Sequence, residues 1–232
     1  MAKHTNSLAA DTVGQVIRKR RTLKVLSDVP LPTDRPGMTL PQALESLCAI
    51  AGWAPFHKPA DRSHQVKGGL DGIVPWRLHV VNAEGCRVLR QELIEQRDDS
   101  KLPKMLAAAD AVIFATWLPD PAPRKSGEPE GTPQIFSPSL KNMEHLAAAS
   151  AAVQNLLLAA TARGIENYWS SGGALREPAM FDRLSIPTRE ILLGALFLFP
   201  AQADLPDHVT LKTSTLRSQR GDASGWSRHI EL

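Results

Sequence analysis

The chain has 232 residues, 43% of them hydrophobic, so it can bury one sizeable core and falls within the size range of a single domain. Its 27 lysines and arginines against 24 acidic residues leave a net charge of +3, which is too weak to require a nucleic-acid partner but allows small anionic ligands. The two cysteines, Cys48 and Cys86, exclude a disulfide framework and a CxxC metal site and favour a reducing, cytoplasmic location. There is no signal-peptide pattern and no run of about 18 apolar residues, so we expect neither secretion nor a membrane span.

The first third of the chain predicts two helices and a long loop. Apolar residues at helical spacing predict a helix from about 7 to 21, which ends in a basic run. After a proline-rich connection, a capping-box pattern at Thr39 and Gln42 predicts a buried helix over about 40–52. Residues 54–75 are rich in Pro, Gly, Asp, Lys and His and have no sustained period, which is typical of a long functional loop.

The remaining two thirds alternate strands and helices. Runs of β-branched and apolar residues predict strands at 76–81 and 111–117, with helical segments between them. Residues 118–139 are mostly Pro, Gly, Lys, Glu and Ser, and we expect them to form a mobile loop over the active site or the partner subunit. The helix predicted at 139–163 has alanine on several faces, which indicates burial all round. The later predicted elements are a strand at 165–169, a glycine turn at 172–173, a short helix near 177–183, a strand at 191–199 and a polar tail.

The basic run at 18–21, continued by Thr22 and Lys24, concentrates guanidinium, hydroxyl and ammonium groups. A phosphate monoester and a polyol chain require such groups, although a basic run is more often a solvated surface. The glycines at 68–72 match neither a dinucleotide-binding motif nor a P-loop, and they precede a strand. The seven histidines have no metal-binding spacing, and the segment 169–173 lacks the glycine that precedes serine in a nucleophile elbow. The sequence therefore indicates neither a metal enzyme nor a serine hydrolase.

Four stretches, taken in chain order, resemble the nitroreductase family. They are Arg20 to Lys24, Ala54-Pro55-x-His57 with Pro75-Trp76-Arg77, the helix from Ala152 to Ala160, and Gly164 through Gly172. The resemblance implies an α/β (α+β) fold with a central, mostly antiparallel sheet flanked by helices, in one domain over residues 1–232. In the compact branch of the family, Pro-Trp follows Ala-Pro-x-His after a short gap. The gap is longer here, so we interpret residues 58–74 as an insertion loop.

The same resemblance implies which residues hold FMN at the start of the chain. Arg20, Arg21 and Thr22 would bind its phosphate and ribityl chain. Lys24 would approach the pyrimidine side of the ring, where a cation stabilises the negative charge of reduced flavin. A basic residue of the tail, Arg217 or Arg220, would close on the phosphate.

Two further groups of cofactor contacts come only from the resemblance. One is a segment that would run along the flavin, with backbone amides bonded to the edge of the ring. It consists of Trp169, Ser170, Ser171 and Gly172. The other group, His57, Pro75 and Trp76, would line the pocket.

The family's chemistry implies that NADH or NADPH passes hydride to FMN and that a small acceptor, such as a nitroaromatic or a quinone, then takes its place. This reaction needs no metal and no dedicated catalytic side chain. The resemblance also implies a homodimer with FMN between the subunits, and the alanine-rich helix is a suitable seam because small residues allow close approach.

Three alternatives remain open at this point. The same fold and cofactor could serve dehalogenation, flavin cleavage or dehydrogenation of a metabolite. The chain could bind FMN without turnover, with its long loops covering the nicotinamide site. Without flavin, the basic N-terminal run could contact nucleic acid on an otherwise structural domain.

Overall fold

A computed structural model describes residues 2–34, 40–65, 69–120 and 137–230. The α-helices in these ranges are α1 (Ala2–Lys19), α2 (Leu40–Ala51), α3 (Ala83–Glu95), α4 (Leu102–Ala108), α5 (Leu140–Ala162) and α6 (Pro178–Arg183). The strands are β1 (Leu23–Leu26), β2 (Trp76–Asn82), β3 (Ala111–Trp117), β4 (Glu166–Ser170), β5 (Ile191–Phe199) and β6 (Thr210–Thr213).

The main sheet has four strands in the order β2-β3-β5-β4, and all neighbouring pairs are antiparallel. β1 and β6 form a separate two-stranded antiparallel ribbon. Helices cover both faces of the main sheet, as the clusters of buried side chains show. The predicted fold class is therefore confirmed.

The hydrophobic core is divided by the sheet into two clusters. Side chains of α3, α4, α6 and β1 pack on one face, and side chains of α2 and α5 pack on the other. Every residue of the central strand β3 is buried, which explains its continuous apolar sequence, because a strand covered on both faces has no polar side.

Helix α5 satisfies the length and composition of a membrane-spanning helix, and it is the one helix to do so among the described residues. Its apolar window has a mean hydropathy of 1.2, and 56% of that window is buried inside the protein. Ala152, Leu156 and Ala160 are fully buried against the sheet and α2. α5 is thus a core helix, in agreement with its alanine pattern.

The segment predicted as an insertion, 58–74, is described except for residues 66–68. It folds around the buried side chain of Arg77, which donates hydrogen bonds to five backbone carbonyls. These belong to His64, Leu70, Gly72, Val74 and Trp76. The His64 imidazole also lies 2.8 Å from the carbonyl oxygen of Pro119. The described part of this segment is therefore tied to the edge of the sheet.

The sequence predictions missed two strands. β1 lies within the stretch that we interpreted only as a ligand-binding run, and β6 lies in the tail. Both have four residues, and every residue of β6 is exposed, so neither has a hydrophobic pattern long enough to recognise. Most of the loop predicted at 118–139 lies outside the described residues, since 121–136 are not described, and so does Thr39.

Candidate cofactor site

A cavity of about 410 Å³ opens beside the β1–β6 ribbon. It is lined by Thr22, Lys24, Lys101, Tyr168, Lys212, Thr213, Ser214 and Thr215. Among the described residues, this lining contains three ammonium groups, several hydroxyls and one aromatic ring, and no acidic side chain. Its volume is within the usual range for small-molecule sites. The chemistry of the lining suits an anionic ligand with polar substituents.

The alternation of β1 produces one side of this cavity. Leu23 and Val25 are buried in the core, so Lys24 between them points the other way, as successive strand residues must. Thr22, just before the strand, lines the same cavity. In the ribbon, Lys24 is directly opposite Lys212. Like charges in such a cross-strand pair repel and are destabilising. An anion between them would remove this repulsion.

The ring of Tyr168, a residue of β4, contacts the ammonium group of Lys24. The Lys24 Nζ atom lies 4.7 Å from the centroid of the Tyr168 ring, a distance at which the ring attracts a cation. The Tyr168 ring in turn stacks on Phe197 of β5, with centroids 6.3 Å apart and an interplanar angle of 28°. The ammonium group is therefore positioned by an aromatic ring that belongs to the core.

Two glycines shape the chain where β4 ends. Gly172 has a φ of +113° and Gly173 a φ of +56°, in the left-handed region that glycine tolerates best. A Cβ atom on Gly172 would also lie 2.8 Å from Leu192 Cδ2. The Gly172 N–H donates to Ser170 Oγ at 3.2 Å. The predicted glycine turn is thus present, and Ser170 closes it.

The side chain of Trp169 lies on the opposite face of the sheet from Tyr168. It packs with the cluster that contains α2 and α5, and its Nε1 atom is 3.5 Å from the Leu193 carbonyl oxygen. A Cβ atom on Gly194 would come within 2.1 Å of that nitrogen, so Gly194 makes room for the indole. The indole of Trp169 therefore does not line the cavity beside the β1–β6 ribbon.

Arg21 points away from Thr22 and Lys24. Its Nη2 atom donates to Gln202 at 3.0 Å and lies 3.8 Å from a Glu166 carboxylate oxygen. It borders a second cavity of about 300 Å³. The lining of that cavity is Lys19, Arg21, Thr161, Gly164, Ile165, Glu166, Asn167 and Gln202. The structure thus places Arg21 with Lys19 and apart from Thr22 and Lys24.

Arg20 and Arg217 meet at the end of α1. The Arg217 guanidinium donates to the backbone carbonyls of Ile17, Arg18 and Arg20, which is a favourable position for a cation at a helix C-terminus. Burial, followed by the charge of Arg217, lowers the pKa of Arg20. The Arg20 Nε atom is buried, and no described residue accepts a hydrogen bond from it.

His57, Pro75 and Trp76 lie at the other edge of the sheet. His57 is exposed, whereas Pro75 and Trp76 are buried, and the Trp76 ring meets Phe56 edge-on at 5.9 Å. β2 and β4 are the two edge strands, with β3 and β5 between them. At about 4.8 Å per strand, this places Trp76 of β2 roughly 14 Å across the sheet from Tyr168 of β4, which lines the cavity beside the ribbon. A single chain does not bring them together.

Several lining residues were not among the predicted site residues. Lys101 immediately precedes α4 and Tyr168 precedes Trp169, while Lys212 to Thr215 belong to β6 and the chain after it. Tyr168 is the only tyrosine in the sequence, but nothing in its local pattern indicates which face of β4 it occupies. Among the described residues, no group of three His, Cys, Asp or Glu side chains could hold a metal ion.

Comparison with known proteins agrees with this architecture. A family model described as the nitroreductase family matches residues 17–198, a range that runs from the end of α1 to β5. The chain belongs to the nitroreductase family. Among curated proteins, no sequence matches this family member.

Solved structures share the fold of this nitroreductase-family protein at low sequence identity. A nitroreductase-like family protein from Bacillus cereus is 21% identical, with 90% of this chain and 94% of that chain covered and a TM-score of 0.55. A nitroreductase with bound FMN from Bacteroides fragilis is 17% identical, with coverage of 94% and 98% and a TM-score of 0.51. A nitroreductase with bound FMN from Desulfitobacterium hafniense is 16% identical, with coverage of 95% and 98% and a TM-score of 0.50.

Proposed function

We propose that this nitroreductase-family protein is an FMN-dependent oxidoreductase that transfers hydride from NADH or NADPH to a small acceptor such as a nitroaromatic or a quinone. The observation that carries the proposal is the pair Lys24 and Lys212, directly opposite each other in a cavity whose described lining residues include no acid. Their ammonium groups repel each other, and an anionic partner would remove this repulsion. FMN is such a partner, and it is the cofactor named for two of the structurally similar nitroreductases.

The residues around the cavity match the parts of FMN. Its phosphate and ribityl hydroxyls would find ammonium groups and hydroxyls, including Thr22. Lys24, held by Tyr168, would approach the pyrimidine side of the ring, and Arg20 has a guanidinium nitrogen without a partner among the described residues. When bound, FMN supplies a ring that accepts and returns hydride. The protein's part is orientation and electrostatics.

The chain after β4 would complete the site along the flavin. The glycine turn has no side chain at Gly172 that could block an approaching ring. Its neighbours Ser170 and Ser171 would present backbone groups to the ring edge. Arg21 borders the neighbouring cavity, so its contribution to FMN binding would be electrostatic, as would that of Arg217 through Arg20.

We further propose a homodimer in which a second copy contributes the edge of the sheet that contains the exposed His57 and the buried Pro75 and Trp76. The separation of these residues from Lys24 across one sheet supports this arrangement, since a site that used both groups would need two chains. The alanine-rich helix α5 has exposed apolar side chains near its start, at Leu140 and Met143. These would be covered in such a dimer.

A cytoplasmic location is part of the same proposal. Both cysteines are free. Burial raises the pKa of the Cys86 thiol to about 12, so this side chain stays protonated near neutral pH and is unsuited to be a nucleophile. Hydride transfer through a flavin requires no such nucleophile.

The test begins with the visible absorption spectrum of the purified protein and identification of any released chromophore. FMN at about one copy per chain, bleached under anaerobic conditions by NADH or NADPH, is expected. Lys24→Gln and Lys212→Gln should lower FMN affinity, whereas Lys104→Gln should not, because Lys104 pairs with Asp28 outside the cavity. A colourless protein that cannot be reconstituted with FMN would refute the proposal. Bound FMN that neither nicotinamide reduces would instead indicate a binding protein without this turnover.

A further inference from the structure

Arg176 connects the glycine turn to the main sheet. Its Nε and Nη2 atoms donate to the Ser171 carbonyl oxygen at 3.0 and 2.5 Å, and its Nη1 atom donates to the Leu192 carbonyl oxygen at 2.6 Å. One guanidinium group thus bridges two backbone carbonyls. A planar fork suits such a bridge because its donors lie on three separate nitrogens in a fixed geometry, whereas a lysine has a single ammonium nitrogen.

The bridge lies where the pairing of β4 with β5 stops. The last pair is Ser170 with Ala195, so residues 191–194 of β5 continue beyond β4. The chain after Ser170 leaves the sheet, and its conformation depends on other contacts. Arg176 supplies them by bonding to a carbonyl of this part of β5 and to the turn.

The conformation of the turn needs this support. Gly172 has a φ of +113° and its N–H is already bonded to Ser170 Oγ. With the Ser171 carbonyl fixed by two donors, the plane of the Ser171–Gly172 peptide is set before any ligand arrives. Arg176 itself is exposed and belongs to the short 3₁₀ helix Gly173–Arg176, so its side chain is not needed to fill the core.

We propose that Arg176 is a positioning residue that presets the Ser170–Gly172 turn to receive the edge of the flavin ring. This inference rests on the proposed function, because the turn is the segment expected to run along FMN. A preset turn loses less conformational freedom on binding than a loose one, so the cofactor binds more tightly. The guanidinium also places a positive charge behind the Ser171 carbonyl, which favours reduced flavin.

The first test uses the protein without cofactor. Arg176→Lys keeps the charge but removes the fork, and Arg176→Gln removes both. In both variants we expect faster amide hydrogen exchange in a peptide that covers residues 169–175, with unchanged exchange in β3. Arg183→Gln is the matched control, since Arg183 is an exposed arginine of α6 that pairs with Glu92 instead. Wild-type exchange of the turn in either Arg176 variant overturns the proposal.

The second test uses the reconstituted protein. Both Arg176 variants should weaken FMN binding by about threefold to tenfold, the effect expected from lost hydrogen bonds. Arg176→Gln, which also removes the positive charge, should in addition lower the midpoint potential of bound FMN. Wild-type affinity and potential in both variants would contradict the proposal even if the turn exchanged faster. Failure of the wild-type protein to bind FMN would refute the proposed function, and the exchange experiment would still decide whether Arg176 fixes the turn.

Discussion

Lys24 and Lys212 occupy directly opposite positions in the antiparallel β1–β6 ribbon. Both line a cavity whose other lining residues, in the part of the chain that the structure describes, include a third lysine and no acid. The Tyr168 ring attracts the Lys24 ammonium group at 4.7 Å, but it does not neutralise the charge. The lysine pair is therefore expected to destabilise the protein without a ligand and to favour the binding of an anion.

The lysine pair predicts that a lysine-to-glutamine change has opposite effects in the two states of the protein. Lys212→Gln should stabilise the cofactor-free protein by about 0.2–1 kcal/mol, because it removes the repulsion from Lys24. With saturating FMN the wild-type protein should be the more stable one, since tighter binding adds stability. Urea unfolding with and without FMN measures both values.

Lys104→Gln serves as the control for this pair of measurements, because Lys104 forms an exposed ion pair with Asp28. Its effect should be small and equal in sign with and without FMN. A Lys212→Gln variant that is less stable than wild type in both states would contradict the interpretation of the ribbon as an anion site.

The buried Arg77 predicts a second effect, on the segment 58–74. Replacement by Met would remove the donor for five backbone carbonyls, and we expect a loss of about 2–4 kcal/mol in the free energy of unfolding. Arg77→Lys should lose part of this free energy of unfolding, because one ammonium group cannot reach all five acceptors. Hydrogen exchange in peptides from 58–74 should accelerate more than elsewhere. The exposed Arg62→Gln should leave both measurements unchanged.

The sequence predicted the elements with long patterns and missed those without them. β3 and β5 were predicted with the bounds that the structure has, at 111–117 and 191–199, because a buried strand is a continuous apolar run. β1 and β6 have four residues each, and their pairing joins segments far apart in the chain. A long-range pair of this kind leaves no local periodicity.

The candidate site was predictable only where its residues form a local pattern in the sequence. Thr22 and Lys24 were recognised from a basic run near the start of the chain, and the structure brings them together in one cavity. Lys212 could be seen only as a charge in the tail, because its role depends on the β1–β6 register. Arg21 lies two residues before β1, a strand that was not predicted, so no local pattern indicated its orientation.

Glu190 predicts a pH dependence of stability. Its Oε2 atom accepts a hydrogen bond from Thr116 Oγ1 at 2.5 Å and lies 2.8 Å from His79 Nε2. Burial raises the pKa of Glu190, but the hydrogen bonds from His79 and Thr116 outweigh this and hold the pKa below its usual value of 4.5. The carboxylate therefore contributes stability above that value, and the contribution disappears as the pH falls through the lowered pKa.

Glu190→Gln should accordingly destabilise the protein by about 1–3 kcal/mol near neutral pH, and the difference from wild type should shrink as the pH falls through the lowered pKa of Glu190. Urea unfolding over this pH range provides the measurement. The exposed Glu45→Gln on α2 is the control and should show no such trend. A difference that stays constant down to acidic pH would show that the charge of Glu190 is not what stabilises the fold.

The contact between Gly194 and Trp169 predicts a steric effect that a second substitution relieves only in part. An alanine Cβ at 194 would lie 2.1 Å from Trp169 Nε1 and 2.7 Å from the Ser170 carbonyl oxygen. Gly194→Ala should therefore cost about 1–3 kcal/mol, as is usual when a packed core receives an extra methyl group. Trp169→Leu removes the first clash but leaves the second, because the second atom belongs to the backbone of β4.

In a double-mutant cycle, Gly194→Ala should cost less in the Trp169→Leu background than in wild type, yet more than zero. Gly225→Ala, where a Cβ would meet nothing within 4 Å, should be close to neutral. Equal costs in both backgrounds would mean that the indole moves aside freely, and Gly194 would then be required by the β4 backbone alone.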